Sequence, residues 1–139
     1  MIDKTRVVLA LDKDFDFQQV LELYQANKWS SASKPEPLKN ALLNSHTLVT
    51  AIHDDRLVGL GNAISDGHLV VYFPHLLVHP DYHGYGIGRM IIDKLASVYN
   101  GFHQQMLTAD KDAVNFYQKC GFEKAGDTVP MWKYDGDEH

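Results

Sequence analysis

Three glycines, Gly84, Gly86 and Gly88, alternate with other residues between an apolar strand pattern and an apolar helical pattern. Glycine lets the backbone approach a ligand closely, and the amide N–H groups at the start of a helix attract anions such as a pyrophosphate. The dinucleotide fingerprint G-x-G-x-x-G does not fit, because its third glycine would fall on Arg89 or Ile91. The P-loop pattern also fails, since no Gly-Lys-Ser/Thr follows. The segment is therefore either another kind of anion-binding loop or a tight turn that needs glycine for packing.

Three histidines, His75, His79 and His83, repeat at a spacing that would place them on one face of a helix. However, Pro74 interrupts this segment, and its VVYF and LLV runs are typical of a strand. Four residues of a strand span about 13 Å, which is too far for two side chains to share one ion. We therefore expect no metal site. The single cysteine, Cys120, also excludes a cysteine-rich zinc site and an internal disulfide.

Apolar periodicity and turn residues predict strands and helices in the order βααβββαβαβ. Asp14 or Asp16 is the expected N-cap of the first helix. We expect Pro74 to break strand pairing, because proline cannot donate to a ladder. The predicted strands cover residues 6–11, 47–52, 57–64, 69–78, 104–109 and 129–134, and the predicted helices cover residues 15–24, 35–42, 87–98 and 112–120.

This order predicts an α/β fold with a mixed, mostly antiparallel central sheet flanked by helices. Residues 69–109 are long enough for a β-α-β crossover, which would add one parallel pair of strands. A chain of 139 residues without repeats or linkers predicts a single domain, 1–139. We expect its acidic tail, residues 135–139, to be frayed.

Charge and hydropathy argue against several classes of function. Thirteen basic and eighteen acidic residues leave a net charge of −5, which does not favour a surface for nucleic acid or anionic membranes. No apolar run approaches the roughly 20 residues of a membrane span, and the N-terminus lacks the pattern of a secretion signal. We therefore expect a cytoplasmic protein without nucleic-acid or membrane partners.

The segment LLVHPDYHGYGIGRMI, residues 76–91, resembles the acetyl-CoA signature of the GNAT superfamily of N-acetyltransferases. In that signature a strand ending in valine leads into a Gln/Arg-Gly-x-Gly-Ile/Leu-Gly loop that opens a helix. A second segment, AVNFYQKCGF at residues 113–122, resembles the family's A-x-x-F-Y-x-x-x-G-F motif. The element order is similar to the family's over nearly the whole chain, and the size resembles its small bacterial single-domain members. His83 stands where the family often has Gln or Arg, and Asp110 stands where it often has Asn.

The resemblance implies that acetyl passes directly from acetyl-CoA to a primary amine of a small molecule, within a ternary complex and without a metal. It implies backbone contacts from the strand 76–78 to the thioester carbonyl and to pantetheine. It also implies that the glycine loop binds the pyrophosphate. The residues expected to bind the coenzyme are Leu76, Leu77, Val78, His83, Gly84, Tyr85, Gly86, Ile87, Gly88, Arg89, Asp110 and Tyr117.

Two side chains are the expected catalytic groups. Tyr117 occupies the position that the family uses as general acid, and a phenol can donate a proton to a departing thiolate. His75 lies three residues before Val78, where small family members often have an acidic residue. An imidazole there could accept the proton of the amine, directly or through water. The alternative is a histidine with a purely structural partner. We expect Cys120 to be a packing residue.

The acceptor pocket is expected near the connection between the first two helices. Tyr24, Trp29 and Ser30, together with His75, are the predicted substrate contacts, because exposed aromatic rings attract cationic or aromatic amines. Trp29 could instead anchor the helix pair. The sequence leaves open which amine is acetylated, and a homodimer is compatible with the fold.

Two other functions stay open at this point. One is a non-catalytic acyl-CoA-binding sensor or interaction module, which would bind acetyl-CoA without transferring the acetyl group. The other is a nucleotide-binding protein, which the glycine spacing does not favour.

Overall fold

A computed structural model describes residues 2–136, within which six strands form one mixed sheet. No helix in this part of the chain is long and apolar enough to cross a membrane. The strands are β1 (Val7–Ala10), β2 (Thr47–His53), β3 (Arg56–Ser65), β4 (Val70–Tyr72), β5 (Leu76–Val78) and β6 (Gln104–Met106). The helices are α1 (Phe17–Ala26), α2 (Pro35–Leu43), α3 (Ile87–Val98) and α4 (Val114–Lys119).

The long strand β3 organises the sheet, because it pairs with three other strands. It is antiparallel to β2 along one edge, and along its other edge it is antiparallel first to β5 and then to β4. Strand β1 extends the sheet beside β2, and β6 lies parallel to β4. The predicted fold class is therefore confirmed, with a parallel pair formed across the β-α-β segment. Asp16 is the N-cap of α1, and its Oδ1 accepts the Gln18 N–H at 2.9 Å.

The element order differs from the prediction in two places. Residues 69–78 form two strands, β4 and β5, that separate at Pro74. Residues 129–134 form no strand, although their alternating apolar residues favour one locally. This segment instead contacts the connection between α1 and α2, where the Tyr134 hydroxyl lies 2.7 Å from Ser30 Oγ. Of the tail, Asp135 forms an ion pair with Lys34, while residues 137–139 lie outside the described residues.

Helices cover both faces of the sheet and bury two apolar clusters. One cluster joins α1 and α2 to the sheet, and the other joins α3 to the opposite face. Gly59 and Gly61 on β3 allow α3 to lie very close, since a Cβ added at Gly61 would come within 2.7 Å of Ile91 Cγ2. An isoleucine in a helix has little rotamer freedom with which to avoid such a contact. These two glycines thus set how closely α3 packs on β3.

Asn62 lies at the point where β3 changes its partner from β5 to β4. Its N–H donates to the His75 carbonyl at 3.1 Å, and its side-chain Oδ1 accepts the His75 N–H at 3.0 Å. Asn62 Nδ2 donates to Ser45 Oγ at 3.1 Å, and the residue is only 3% exposed. Pro74 has no N–H to continue the ladder, so the amide side chain of Asn62 completes the pairing. The chain can therefore separate β5 from β4 without leaving a buried backbone N–H unpaired.

We predict that Asn62→Ala lowers the free energy of unfolding by about 1–3 kcal/mol, because it leaves the part-buried His75 N–H and the buried Ser45 hydroxyl without their partner. The control is Ser97→Ala on α3, which removes an exposed hydrogen bond from Ser97 Oγ to the Lys94 carbonyl. That change should cost less than about 1 kcal/mol. Urea denaturation of the three proteins measures the difference. Equal destabilisation by the two substitutions would contradict the role assigned to Asn62.

Candidate active site

One edge of β5 faces away from the sheet. The His79 N–H donates to the Val58 carbonyl and the His75 carbonyl accepts from Asn62, so residues 75, 77 and 79 direct their backbone groups toward β3. In an antiparallel ladder alternate residues point to opposite sides, which directs the N–H groups of Leu76 and Val78 toward the open edge. Of the three strand residues predicted to contact the coenzyme, Leu76 and Val78 thus direct their backbone groups toward the open edge of β5. The backbone of Leu77 faces β3, and its side chain packs in the core below α1.

The glycine loop leads directly into α3 and takes a conformation that needs glycine. Gly84 and Gly86 have φ angles of 86° and 81°, and a Cβ at either position would touch nothing within 4 Å. Gly86 is the N-cap of α3 and has no side chain to cap the amides of Ile87, Gly88 and Arg89. A cavity of about 650 Å³ lies beside the glycine loop and is also lined by residues 2–5. The positive end of the helix dipole is at this end of α3. The loop can therefore bind a diphosphate through backbone N–H groups.

The predicted coenzyme residues with large side chains have other partners. His83 Nε2 donates to the Val78 carbonyl at 2.8 Å, so this imidazole connects the loop to the end of β5. Arg89 pairs through its Nε with Asp93 at 2.9 Å, one turn further along α3. Ile87 is buried in the core, and Tyr85 packs against the same cluster. Because these side chains already have partners, backbone N–H groups are the main groups in this part of the site that could contact a ligand.

Tyr117 on α4 lies in the wall of a cleft of about 730 Å³ that also includes Leu76, His75 and Asp110. Its ring packs edge-to-face against Phe116 and Phe122. Burial raises the pKa of Tyr117 to about 12, and the nearby Cys120 and the negative charge of Asp110 act in the same direction. The hydroxyl therefore stays protonated across the neutral range, which is the form that a proton donor needs.

Cys120 follows α4 and packs against the core on the α3 side of the sheet. Burial raises the pKa of its thiol, and the carboxylate of Asp93 adds to that effect while Arg89 opposes it. A raised pKa disfavours the thiolate that a nucleophilic cysteine needs. The environment of Cys120 agrees with the packing role predicted for it.

His75 is held between two aromatic residues at the other end of the cleft. Its Nδ1 lies 2.7 Å from the Tyr24 hydroxyl, and its ring meets Trp29 edge-to-face with centroids 5.1 Å apart. Tyr24 is fully buried behind His75, and burial raises the pKa of its phenol far above the usual range. Tyr24 is therefore not among the residues that line the cleft, in contrast to its predicted role as a substrate contact. Trp29 and Ser30 do line the cleft, as does His75.

The histidines that repeat every four residues have separate partners. His79 accepts the Asp81 N–H at its Nδ1 and lies 3.3 Å from Arg56, while His83 contacts Val78 and His75 contacts Tyr24. Within residues 2–136 no three histidine, cysteine or carboxylate side chains are grouped in a way that could hold a metal ion.

Several residues of the cleft were not among the predicted site residues. They include Lys34, Tyr72 and members of the segment 130–136, among them Trp132 and Tyr134. Asn62, which positions His75, was also missed. The sequence could have indicated Asn62, because it lies in the middle of the apolar run LVGLGNAI and a buried polar side chain needs a specific hydrogen-bond partner. For Trp132 and Tyr134 no such indication exists, because their place depends on how the chain returns after α4.

Comparisons with known proteins agree with this geometry. Residues 12–131 match the family model described as an acetyltransferase (GNAT) domain. The chain is 28% identical over 130 residues to the uncharacterized N-acetyltransferase ycf52 of Pyropia yezoensis, covering 88% of this chain and 74% of that protein. It is 35% identical over 72 residues to the chloroplastic GCN5-related N-acetyltransferase 2 of Arabidopsis thaliana, covering 50% of this chain and 28% of that protein.

Solved structures show the same fold. A GNAT-family acetyltransferase of Streptococcus pneumoniae superposes with a TM-score of 0.82 at 28% identity, covering 93% of this chain and 98% of that one. An aminoglycoside acetyltransferase from an uncultured soil metagenomic sample, solved with sisomicin, has a TM-score of 0.69 at 18% identity, covering 95% and 97%. The second likeness bears on the fold alone. The family match over most of the chain, together with the open β5 edge, the glycine loop and Tyr117, shows that this protein belongs to the GNAT family and is an acetyltransferase.

Proposed function

We propose that this protein transfers acetyl from acetyl-CoA directly to the primary amine of a small molecule, with both substrates bound at once. The main supporting observation is that the open edge of β5, Tyr117 and His75 meet at one cleft, whose volume is about 730 Å³. A cleft of this size suits a small ligand. Its two ends differ in chemistry, which is what a reaction between two bound substrates requires.

The residues present fit a coenzyme with a diphosphate. The amides of Ile87, Gly88 and Arg89 have no side-chain cap at the start of a helix, and a Cβ at Gly84 or Gly86 would have no atom within 4 Å. When bound, acetyl-CoA supplies the thioester whose acetyl group is transferred. The N–H groups of Leu76 and Val78 would hydrogen-bond to pantetheine and to the thioester carbonyl, and would stabilise the negative charge that develops on that oxygen.

His75 and Tyr117 account for the two protons of the reaction. The bond that forms joins the amine nitrogen to the acetyl carbonyl carbon, and the bond that breaks joins that carbon to sulfur. The His75 imidazole, whose Nδ1 lies 2.7 Å from the Tyr24 hydroxyl, accepts the proton of the amine, directly or through water. Tyr117 donates its proton to the departing thiolate and recovers one from water.

Direct transfer agrees with the surroundings of Cys120, because the raised pKa of its thiol works against an acetyl-cysteine intermediate. Small-molecule specificity, a cytoplasmic location and a homodimer remain predictions from the sequence.

The first experiment is a thermal-shift titration with acetyl-CoA, CoA, ATP and NAD. At about 100 times Kd, a ligand adds about 2.7 kcal/mol, which raises Tm by roughly 10 °C for a domain of this size. We expect that rise with acetyl-CoA and CoA, and none with ATP or NAD. Amine transfer is then followed by the release of free CoA thiol across a panel of primary amines.

Gly88→Asp is the matched variant for this titration. Its carboxylate would lie in the first turn of α3, where the helix dipole stabilises a negative charge. The same negative charge would repel a bound diphosphate. A Cβ at Gly88 would lie 3.4 Å from Phe116 Cζ, so the Tm of the free variant should fall somewhat, whereas the shift with acetyl-CoA should disappear. An unchanged shift in this variant, or none in the wild type, would contradict the coenzyme site. Binding without transfer to any amine would favour the sensor hypothesis instead.

Tyr117→Phe tests the general acid. We expect kcat to fall by about 100-fold or more, with the KM for acetyl-CoA changed by less than about threefold. The control is Tyr72→Phe, which removes another hydroxyl from a residue lining the same cleft and should leave kcat nearly unchanged. Because burial raises the pKa of Tyr117 to about 12, its phenol remains protonated at moderately alkaline pH. Deprotonation of Tyr117 should therefore cause no decrease in the wild-type kcat between about pH 6 and 10. Similar kcat values for Tyr117→Phe and wild type would rule out the role.

His75→Gln tests the general base. We expect kcat to fall by about 100-fold and to lose its acidic limb, because glutamine cannot accept the proton. Tyr24→Phe removes only the hydroxyl at 2.7 Å from Nδ1, so it should lower kcat less and keep the acidic limb. Steady-state kinetics from about pH 5.5 to 9 compare the three proteins. A purely structural histidine would leave the shape of the kcat profile the same in His75→Gln.

A further inference from the structure

The segment 130–136 returns to the acceptor end of the cleft after α4. The Tyr134 hydroxyl lies 2.7 Å from Ser30 Oγ, and Asp135 Oδ2 lies 3.5 Å from Lys34 Nζ. Both partners belong to the connection between α1 and α2, which is about a hundred residues away in sequence. This segment, called the cover segment below, forms one wall of the cleft that includes Tyr117.

The cover segment contains a stacked aromatic pair. The rings of Trp132 and Tyr134 are nearly parallel, at 14°, with centroids 4.3 Å apart. Trp132 is nonetheless 71% exposed and lines the cleft. Stacking fixes the orientation of the indole while leaving most of its surface uncovered. A flat apolar group bound in the cleft would remove that surface from water.

The rest of the cleft is also aromatic and has few charges. Trp29, Tyr72 and His75 contribute rings to its lining. Its charged side chains are Asp110 and the pair formed by Lys34 and Asp135. With one basic and two acidic groups, the lining suits a single ammonium but lacks the several carboxylates that a polyamine would need. The same balance does not favour an anionic acceptor.

We propose that the acceptor is a small primary amine with a flat aromatic ring, and that this ring binds against Trp132 while the amine reaches His75. This inference rests on the proposed acetyltransferase function and names its substrate class. Trp132 is thereby a specificity-determining residue, separate from the groups that handle the protons.

The test compares 2-phenylethylamine with 2-cyclohexylethylamine, which has the same linker but a thicker ring without π electrons, and with spermidine. For the wild type we expect kcat/KM for the phenyl amine to exceed the other two by about tenfold, the scale of one aromatic contact. Trp132→Ala should remove this preference and Trp132→Phe should keep most of it. The matched control is Val129→Ala, an exposed apolar residue of the same terminal region that does not line the cleft. It should behave like the wild type.

Two controls separate this inference from the function on which it rests. The KM for acetyl-CoA should stay within about twofold in Trp132→Ala, since the coenzyme contacts lie elsewhere. Ligand-observed NMR with CoA present measures amine binding without turnover, so the preference is decided even if no amine is acetylated. Absence of transfer to every amine with phenyl-selective binding would count against the enzyme but support the aromatic site.

Equal kcat/KM and equal binding for the phenyl and cyclohexyl amines would overturn the proposal while leaving the acetyltransferase intact. A preference for spermidine, or for a peptide amine added as a fourth substrate, would also overturn it. Light scattering decides the remaining alternative. If Trp132→Ala turned a wild-type dimer into a monomer without a change in amine selectivity, the indole would serve a second copy of the chain and the proposal would fail.

Discussion

The arrangement of the site depends on how β3 exchanges one partner strand for another. A sheet cannot open in its interior without exposing backbone groups that then need new partners. Here Pro74 removes one N–H from the ladder, and Asn62 pairs with both backbone groups of His75, donating its own backbone N–H to the His75 carbonyl and accepting the His75 N–H at its side-chain Oδ1. Both backbone groups of His75 are therefore paired where β5 separates from β4. The same hydrogen bonds hold His75 at the mouth of the cleft, so one interaction both opens the sheet and positions a candidate catalytic side chain.

Close packing of α3 on β3 connects this opening to the glycine loop. Gly59 and Gly61 allow Ile91 and Leu95 of α3 to contact the strand directly, which places the start of the helix near the end of β5. The three-residue strand β5, the loop and the helix thus form one compact unit. Its open backbone groups lie within residues 76–89, and pairing with β3 orients those of β5. Electrostatic attraction for a diphosphate comes mainly from the helix start, since His83 and Arg89 already have partners.

The acceptor end has a different construction. Its walls come from the α1–α2 connection, the residues around Pro74 and the segment 130–136, which are far apart in sequence. Hydrogen bonds and an exposed ion pair join these parts, and such surface ion pairs add little stability. In the proposed site, the packed core therefore positions the coenzyme contacts, whereas side chains on connections form the proposed acceptor pocket. This division allows the acceptor pocket to vary among proteins that share the same transfer chemistry.

The sequence alone determined the features that depend on local order. Apolar periodicity predicted nearly all the strands and helices, because the geometry of these elements follows from neighbours in the chain. The resemblance of residues 76–91 and 113–122 to GNAT motifs indicated the loop and Tyr117. Tertiary structure decided the rest. Residues 129–134 have the apolar pattern of a strand but form none. Tyr24 was predicted to contact the substrate because of its aromatic ring, but its side chain is buried behind His75. The partners that decide these outcomes, such as Ser30 for Tyr134 and Asn62 for His75, are distant in sequence, and only the folded chain brings them together.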